Sequence, residues 1–498
     1  MLRRKFIELG VGSGLAGAAT SGRISLGSPK TARGRKVESP PVLSSYTAED
    51  HRRRLKNIAR CEAAIPKYAR RHLITDYIPG QAVYNLGEYP CRKPWDPDEY
   101  DERQLDELWN NGIRLVQVME DWNDLLRLFG GDKYTSVNPA GLRRFIDMVH
   151  QRGMKILLYT STGHFQITDP EYNPEWARPG FSTKAAHWQL VHCSAASAGW
   201  RAYVLPRTLG LMDEYEIDGL YNDAGSRRLH RDPELATSDE VLAFEESPEV
   251  DGALGDMLSL IYYEVKRRGG IYKIHLHDSQ HPSTSEQLWD YLWVGEGLSN
   301  ADRLREETKR HDPYLVPIFD WRDGKLESDE EMFLHTVPFM QFPGLLAGRP
   351  FTGERSVIPG VDYQPHRLLD NWRERWRFHQ ANPDGPYSYG PWDAFPGRPS
   401  IRTSHAQWLK WYYPLVEPGT YAYLEIENSP LLAKRPAGDF VASVFVNLET
   451  HLVLANYART SAQVETADSY FSVADDSAPP GKRFVLPPRS LIILRQAA

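Results

Sequence analysis

The chain has 498 residues, enough at ~150 per domain for roughly three domains, or for one large barrel with smaller attachments. Its 59 Lys and Arg against 66 Asp and Glu give a formal charge of −7, without the basic excess that a phosphate backbone demands, so nucleic acid is excluded as an expected partner. The cysteines, Cys61, Cys91 and Cys193, are too widely spaced for a zinc or redox motif and exclude a disulfide framework, leaving room for one bridge.

At the amino terminus, Arg3, Arg4 and Lys5 precede a moderately apolar, Gly-rich run that ends in small residues, a pattern that resembles a twin-arginine export signal over residues 1–27. Gly12, Gly14 and Gly17 also satisfy GxGxxG, but no strand precedes them, so a dinucleotide site is not implied. No other stretch reaches the ~18 apolar residues of a membrane span, and the mature chain is expected to carry none. Residues 28–70 read as a surface lead-in, with a charged helical segment, AEDHRRRLKNIARCEAAI.

Short β-type runs then recur between helical segments, at 72–78, 112–119, 154–160, 217–222, 271–277, 290–295, 314–319 and 337–342. That number closes a parallel barrel, which predicts an α/β fold, a (β/α)8 TIM barrel over residues 71–400. Asn138 and Pro139 open one intervening helix and Gly153 stops it. A second, from about Ser197 to Tyr215, contains Pro206, an expected kink, and runs straight into IDGLYN. Residues 401–498 are expected to supply a linker helix and an antiparallel β-sandwich, because the pattern after about 420 alternates with period two.

Barrel enzymes place their chemistry at the carboxyl ends of the strands. The fourth strand ends in Asp223, on one face with Tyr221 and Gly219, and a carboxylate there suits a nucleophile or base. Strand six ends with Glu296 between Gly295 and Gly297, a rim position for a general acid/base, with Asp278 after strand five as the rival. His275 and His277 share a face. They read as substrate hydrogen-bonding groups, or alternatively as part of the site of a metal-dependent hydrolase, although a third ligand at metal-type spacing is not apparent. Trp122, His164 and Phe165 follow strands two and three where a sugar ring could lie, and Trp293 is a further aromatic or simply core. Asp320, Arg322 and Arg349 are expected to hold hydroxyls or orient carboxylates, and Glu120 and Asp121 are further polar mouth positions. Aromatics make up 11% of the chain, which suits sugar stacking as well as ordinary packing.

The segment CSAASAGWRAYVLPRTLGLMDEYEIDGLYNDAG, residues 193–225, resembles the stretch of alpha-galactosidase-type barrel glycosidases in which a helix leads into strand four and its nucleophilic aspartate. The lysine-tyrosine-aspartate triplet of that group stands here as Tyr221, Asn222 and Asp223. The layout also resembles uncharacterised exported barrel proteins. The resemblance implies a retaining glycoside hydrolase acting on an extracytoplasmic oligo- or polysaccharide, with Asp223 as nucleophile, Glu296 as acid/base and no cofactor. The alternatives are a noncatalytic carbohydrate-binding barrel and the metal-dependent hydrolase built on His275 and His277.

Overall fold

The computed structural model describes residues 46–67, 69–86, 95–119, 122–123, 134–136, 138–166, 169–178, 190–224, 248–275, 286–293, 301–309, 330–349, 399–475 and 477–497. Its centre is a parallel sheet of seven described strands. They are β2 (Gln81–Asn85), β3 (Leu115–Val118), β4 (Lys155–Ser161), β7 (Gly219–Asp223), β8 (Ile271–His275), β9 (Tyr291–Trp293) and β10 (Leu345–Gly348), hydrogen-bonded in the order β10-β2-β3-β4-β7-β8-β9. A hairpin of β5 (His164–Gln166) and β6 (Leu190–His192) stands beyond the end of β4. The expected strand at 314–319 lies outside the described residues.

The helices are α1 (Ala48–Ala64), α2 (Glu99–Asn110), α3 (Pro139–Gln151), α4 (Ala198–Tyr215), α5 (Pro248–Arg267), α6 (Ala301–Thr308), α7 (Glu331–Thr336) and α8 (Pro399–Tyr412). Local chemistry fixes several of their ends. Asn138 accepts from the Gly141 amide with Pro139 at the first position of α3, and Gly153 follows the helix at φ +69°. Ser197 caps α4 through the Trp200 amide, and α4 continues past Pro206.

Two expected strands are corrected. Residues 70–73 form β1 (Arg70–Leu73), which pairs antiparallel with β11 (Tyr421–Leu424) and not with the parallel sheet. Its side chains alternate between half-buried and exposed, whereas every residue of β2 is buried, as a strand covered on both faces requires. The run at 337–342 begins as a 3-10 turn, Val337–Phe339, with Pro338 inside it, and the strand follows as β10.

The carboxyl-terminal strands are β11, β12 (Leu432–Lys434), β13 (Phe440–Val446), β14 (Thr450–Asn456), β15 (Ala462–Ser472), β16 (Gly481–Leu486) and β17 (Ser490–Gln496). The expected antiparallel β-rich part is present, and hydrogen bonding joins its strands with β1 into one continuous antiparallel sheet. The joining element is β15, which pairs with β16 through Ala462–Glu465 and with β17 through Tyr470–Ser472, across a register shift. The lead-in is also less superficial than expected, since Ile58, Cys61 and Ile65 pack into the core of this sheet beside Tyr423 and Val444.

Candidate active site

The end of β4 and the end of β7 lie side by side, Ser161 opposite Asp223 and Tyr159 opposite Tyr221. At the other end of β7 it is β8 that comes close: a Cβ at Gly219 would meet the Ile271 carbonyl oxygen at 1.9 Å. The Asp223 carbonyl accepts from the amides of Thr162 and Gly163 at 3.1 and 3.3 Å and from Ser161 Oγ at 3.2 Å. The neighbouring Asn222 takes the Thr162 amide on its Oδ1 and donates from Nδ2 to Thr162 Oγ1 and to the Tyr272 hydroxyl. The backbone under the Asp223 side chain is therefore fixed from both strands.

The carboxylate is a quarter exposed and points into a cluster of three side chains. The Tyr159 hydroxyl donates to Asp223 Oδ2 at 2.9 Å. His164 Nδ1 lies 3.6 Å from the same oxygen, and His275 Nδ1 lies 3.9 Å from Oδ1. The ring of His164 packs on that of His192, its partner across the β5–β6 hairpin, at a centroid distance of 4.5 Å. A carboxylate stabilised as an anion by a phenol and flanked by two imidazoles, yet open to solvent, can serve as a nucleophile or as the partner of a developing positive charge.

Buried aromatics form the floor. Tyr221 and Trp293 stack at 4.9 Å, and Tyr159 meets Tyr221 edge-on at 5.4 Å. Lys273, opposite Tyr221 on β8, brings its ammonium to 5.9 Å from the Tyr221 ring and 5.4 Å from the Trp293 ring and donates to Gln81 Oε1 at 3.3 Å. Burial drives its ammonium pKa down to about 7. The walls are pinned by donors to backbone carbonyls: Trp122 Nε1 to Tyr159, the Tyr134 hydroxyl to Ser161, and Trp200 Nε1 to Thr162. Each such bond contributes roughly 1 kcal/mol net and holds the β4 end in place.

The structure therefore brings together Asp223, His164 and His275 from the expected set. Trp122 is fully buried, so it supports the site from behind and does not cradle a ring, and Phe165 is likewise core. Tyr221 is 2% exposed and belongs to the floor beneath the carboxylate. Arg349 is drawn away by charge: it pairs with the fully buried Asp101 at 2.6 Å and with Asp98 at 3.1 Å, and its guanidinium lies over the Tyr100 ring. There it ties the end of β10 to the start of α2. Glu296, Asp278, His277, Asp320, Arg322, Glu120 and Asp121 lie outside the described residues. Sequence reasoning missed Tyr159 and His192. The one signal for Tyr159 is period two, which puts it on one face of its strand with Ser161, and that signal fits packing equally well.

Among the described residues, no group of three or more His, Cys, Asp or Glu side chains is placed to hold a metal ion, and no helix is long and apolar enough to cross a membrane. Cys61 and Cys193 are unpaired buried thiols, and Cys91 lies outside the described residues.

No known family profile matches the chain. A GH36 alpha-galactosidase, AgaA from Geobacillus stearothermophilus, superimposes with a TM-score of 0.53 at 12% identity, over 83% of this chain and 55% of its own. The likeness is one of fold. The chain thus spans about half the length of that enzyme and shares its barrel architecture, an α/β fold with a β-rich carboxyl-terminal part. A noncanonic maltogenic alpha-amylase, AmyB from Thermotoga neapolitana, aligns over 85% of this chain and 100% of its own at 11% identity, with a TM-score of 0.48. In sequence, the 1,4-alpha-glucan branching enzyme GlgB of Salinibacter ruber is 32% identical over 103 residues, which is 19% of this chain and 16% of that enzyme.

Proposed function

We propose that the protein is a retaining glycoside hydrolase that acts on an oligo- or polysaccharide outside the cytoplasm, with Asp223 as its nucleophile. The observation that carries this reading is the Asp223 carboxylate, held by Tyr159 at the carboxyl end of a central parallel strand, with His164 and His275 beside it. Asp223 attacks the anomeric carbon while an acid protonates the departing glycosidic oxygen; the same acid, as its conjugate base, then takes a proton from the water that releases the sugar. Glu296 is the proposed acid/base and Asp278 its rival. Tyr159 lowers the cost of the free anion between turnovers, and the imidazoles of His164 and His275 are placed to bond sugar hydroxyls.

The substrate class is proposed from the alpha-galactosidase AgaA and the 1,4-alpha-glucan branching enzyme GlgB, so alpha-galactosides and alpha-glucans come first. The test is a panel of aryl alpha- and beta-glycosides with soluble starch and raffinose, followed by proton NMR of the first product. Release with the substrate's own anomeric configuration, unaffected by a chelator, is the expected result. Inversion refutes the nucleophile assignment, and chelator-sensitive turnover refutes the metal-free mechanism. Export by the twin-arginine route is part of the proposal. It is tested by Arg3→Lys with Arg4→Lys, which is expected to stop secretion.

A further inference from the structure

A groove of about 860 Å³ lies on the outer flank of the parallel sheet between α2 and α8, within the ~300–1,000 Å³ range of small-molecule sites. It runs along α2 from Tyr100, whose hydroxyl donates to the Gly348 carbonyl, to Gly112 beyond the other end of that helix. Its lining residues do not include those around Asp223.

The floor is rigid. Gly112 sits at φ +90° with the side chains of Leu409 and Tyr413 against it, and its carbonyl accepts from the Tyr413 hydroxyl at 2.6 Å. A Cβ at Gly80 would lie 2.3 Å from that same carbonyl, so the turn is packed from below as well.

The lining chemistry narrows the ligand. The Arg114 guanidinium is committed to the carbonyls of Trp109 and Ile113 and lies over the Trp109 ring. Arg114 and Lys410 against Glu107 leave the lining one net positive charge, with the Arg114 Nη1 donors already spent on carbonyls, too little to select a phosphate or an acidic peptide. An apolar helix would find carboxamides where it needs methyl groups. The amides of Asn110, Asn111 and Gln407 line the groove with no side-chain hydrogen bond among the described residues, and Asn110 and Gln407 are exposed. Each carboxamide presents donors and an acceptor side by side, which matches the neighbouring hydroxyls of a sugar ring.

We propose that this groove is a second glycan-binding site, which takes a neutral oligosaccharide segment apart from the site at Asp223. The groove is read from its own residues, and the activity proposed above guides only the choice of probes. Binding is measured on the full chain carrying Asp223→Asn, by affinity electrophoresis in gels containing soluble starch or galactomannan. We expect retardation by one of them, and about a tenfold weaker affinity when Asn110→Ala and Gln407→Ala are added, with thermal midpoint unchanged. In the otherwise native chain, the same pair should leave aryl-glycoside turnover unchanged. Retardation by neither polysaccharide, or equal retardation of the variant, overturns the proposal.

A second measurement asks what fills the groove. Gln407→Cys, labelled with a maleimide and mapped by mass spectrometry, is expected to react readily and to be protected by maltoheptaose or by galactomannan oligosaccharides. Shielding in the absence of glycan means that another part of the chain occupies the groove, and overturns the assignment. Failure of the catalytic reading registers separately, as absent turnover of the aryl glycosides.

Discussion

Asp218 immediately precedes β7 and Asp223 ends it, so one strand carries two carboxylates into two different environments. Asp218 Oδ2 bonds His150 Nε2 at 2.9 Å and the Ile156 amide at 3.0 Å, and Lys155 lies 3.7 Å from Oδ1. It stitches α3 and β4 to β7 at the closed end of the sheet. Asp223 is held by a phenol on one oxygen, with two imidazoles at longer range, and keeps twice the exposure, 25% against 13%. The same side chain is tied into structure where a charge and an amide converge on it, and keeps more of its surface open where a phenol and two imidazoles flank it. The substitutions that follow are ways to make one end behave like the other.

Asp223→Asn removes the nucleophile and is expected to lower turnover by on the order of 10⁴-fold or more with the fold intact, measured by steady-state kinetics and circular dichroism. At the closed end, Gly219→Ala should act on stability alone. Its methyl must displace the Ile271 backbone, which is expected to cost about 3 kcal/mol in chemical denaturation, because the contact is carbonyl oxygen and not a flexible side chain. Tyr159→Phe sharpens the comparison from the open side. Losing a hydrogen bond to a charged group should lower kcat by roughly 10–100-fold with little change in thermal midpoint.

Asp218→Asn is expected to show the reverse pattern, a stability loss of about 1–2 kcal/mol with kcat nearly unchanged. Burial alone raises the Asp218 pKa, but the His150 hydrogen bond, the Ile156 amide and the Lys155 charge outweigh it and hold the carboxyl below the ordinary carboxylate range. A depressed folded pKa means that the stabilisation is complete above the unfolded value of about 3.9 and is lost as pH falls through the folded one. The gap in thermal midpoint between the parent chain and Asp218→Asn should therefore hold at neutral pH and narrow at the acid end.

The same strand shows what sequence can carry. Asp223, Gly219 and the Asn138–Pro139 helix start were legible because each depends on local pattern: a terminal polar residue after a buried run, a glycine at a close approach, a cap with proline behind it. β2 and β10 were harder to see. QAVYN is short and only moderately apolar and LLAG is short and ends in small residues, and each lies beside a longer apolar run, HLITDYI or VPFMQF, whose fate is decided by non-local pairing with β11 in one case and by a proline-bearing turn in the other. Trp122 and Arg349 misled for a related reason. A side chain following a strand points to the mouth only if no buried carbonyl or carboxylate claims it first, and Tyr159 and Asp101 claim these two. Tyr159 itself was hidden because a mid-strand tyrosine on a buried face reads as packing until register brings it level with Tyr221.

The assignment of Asp223 as nucleophile is tested most directly by trapping. A 5-fluoro-alpha-glycosyl fluoride matched to the best aryl glycoside should inactivate the enzyme with time and leave one sugar esterified to the peptide that contains Asp223, with Tyr159→Phe labelled more slowly and Asp218→Asn at the native rate. Inactivation with the label on any other carboxylate would contradict the account.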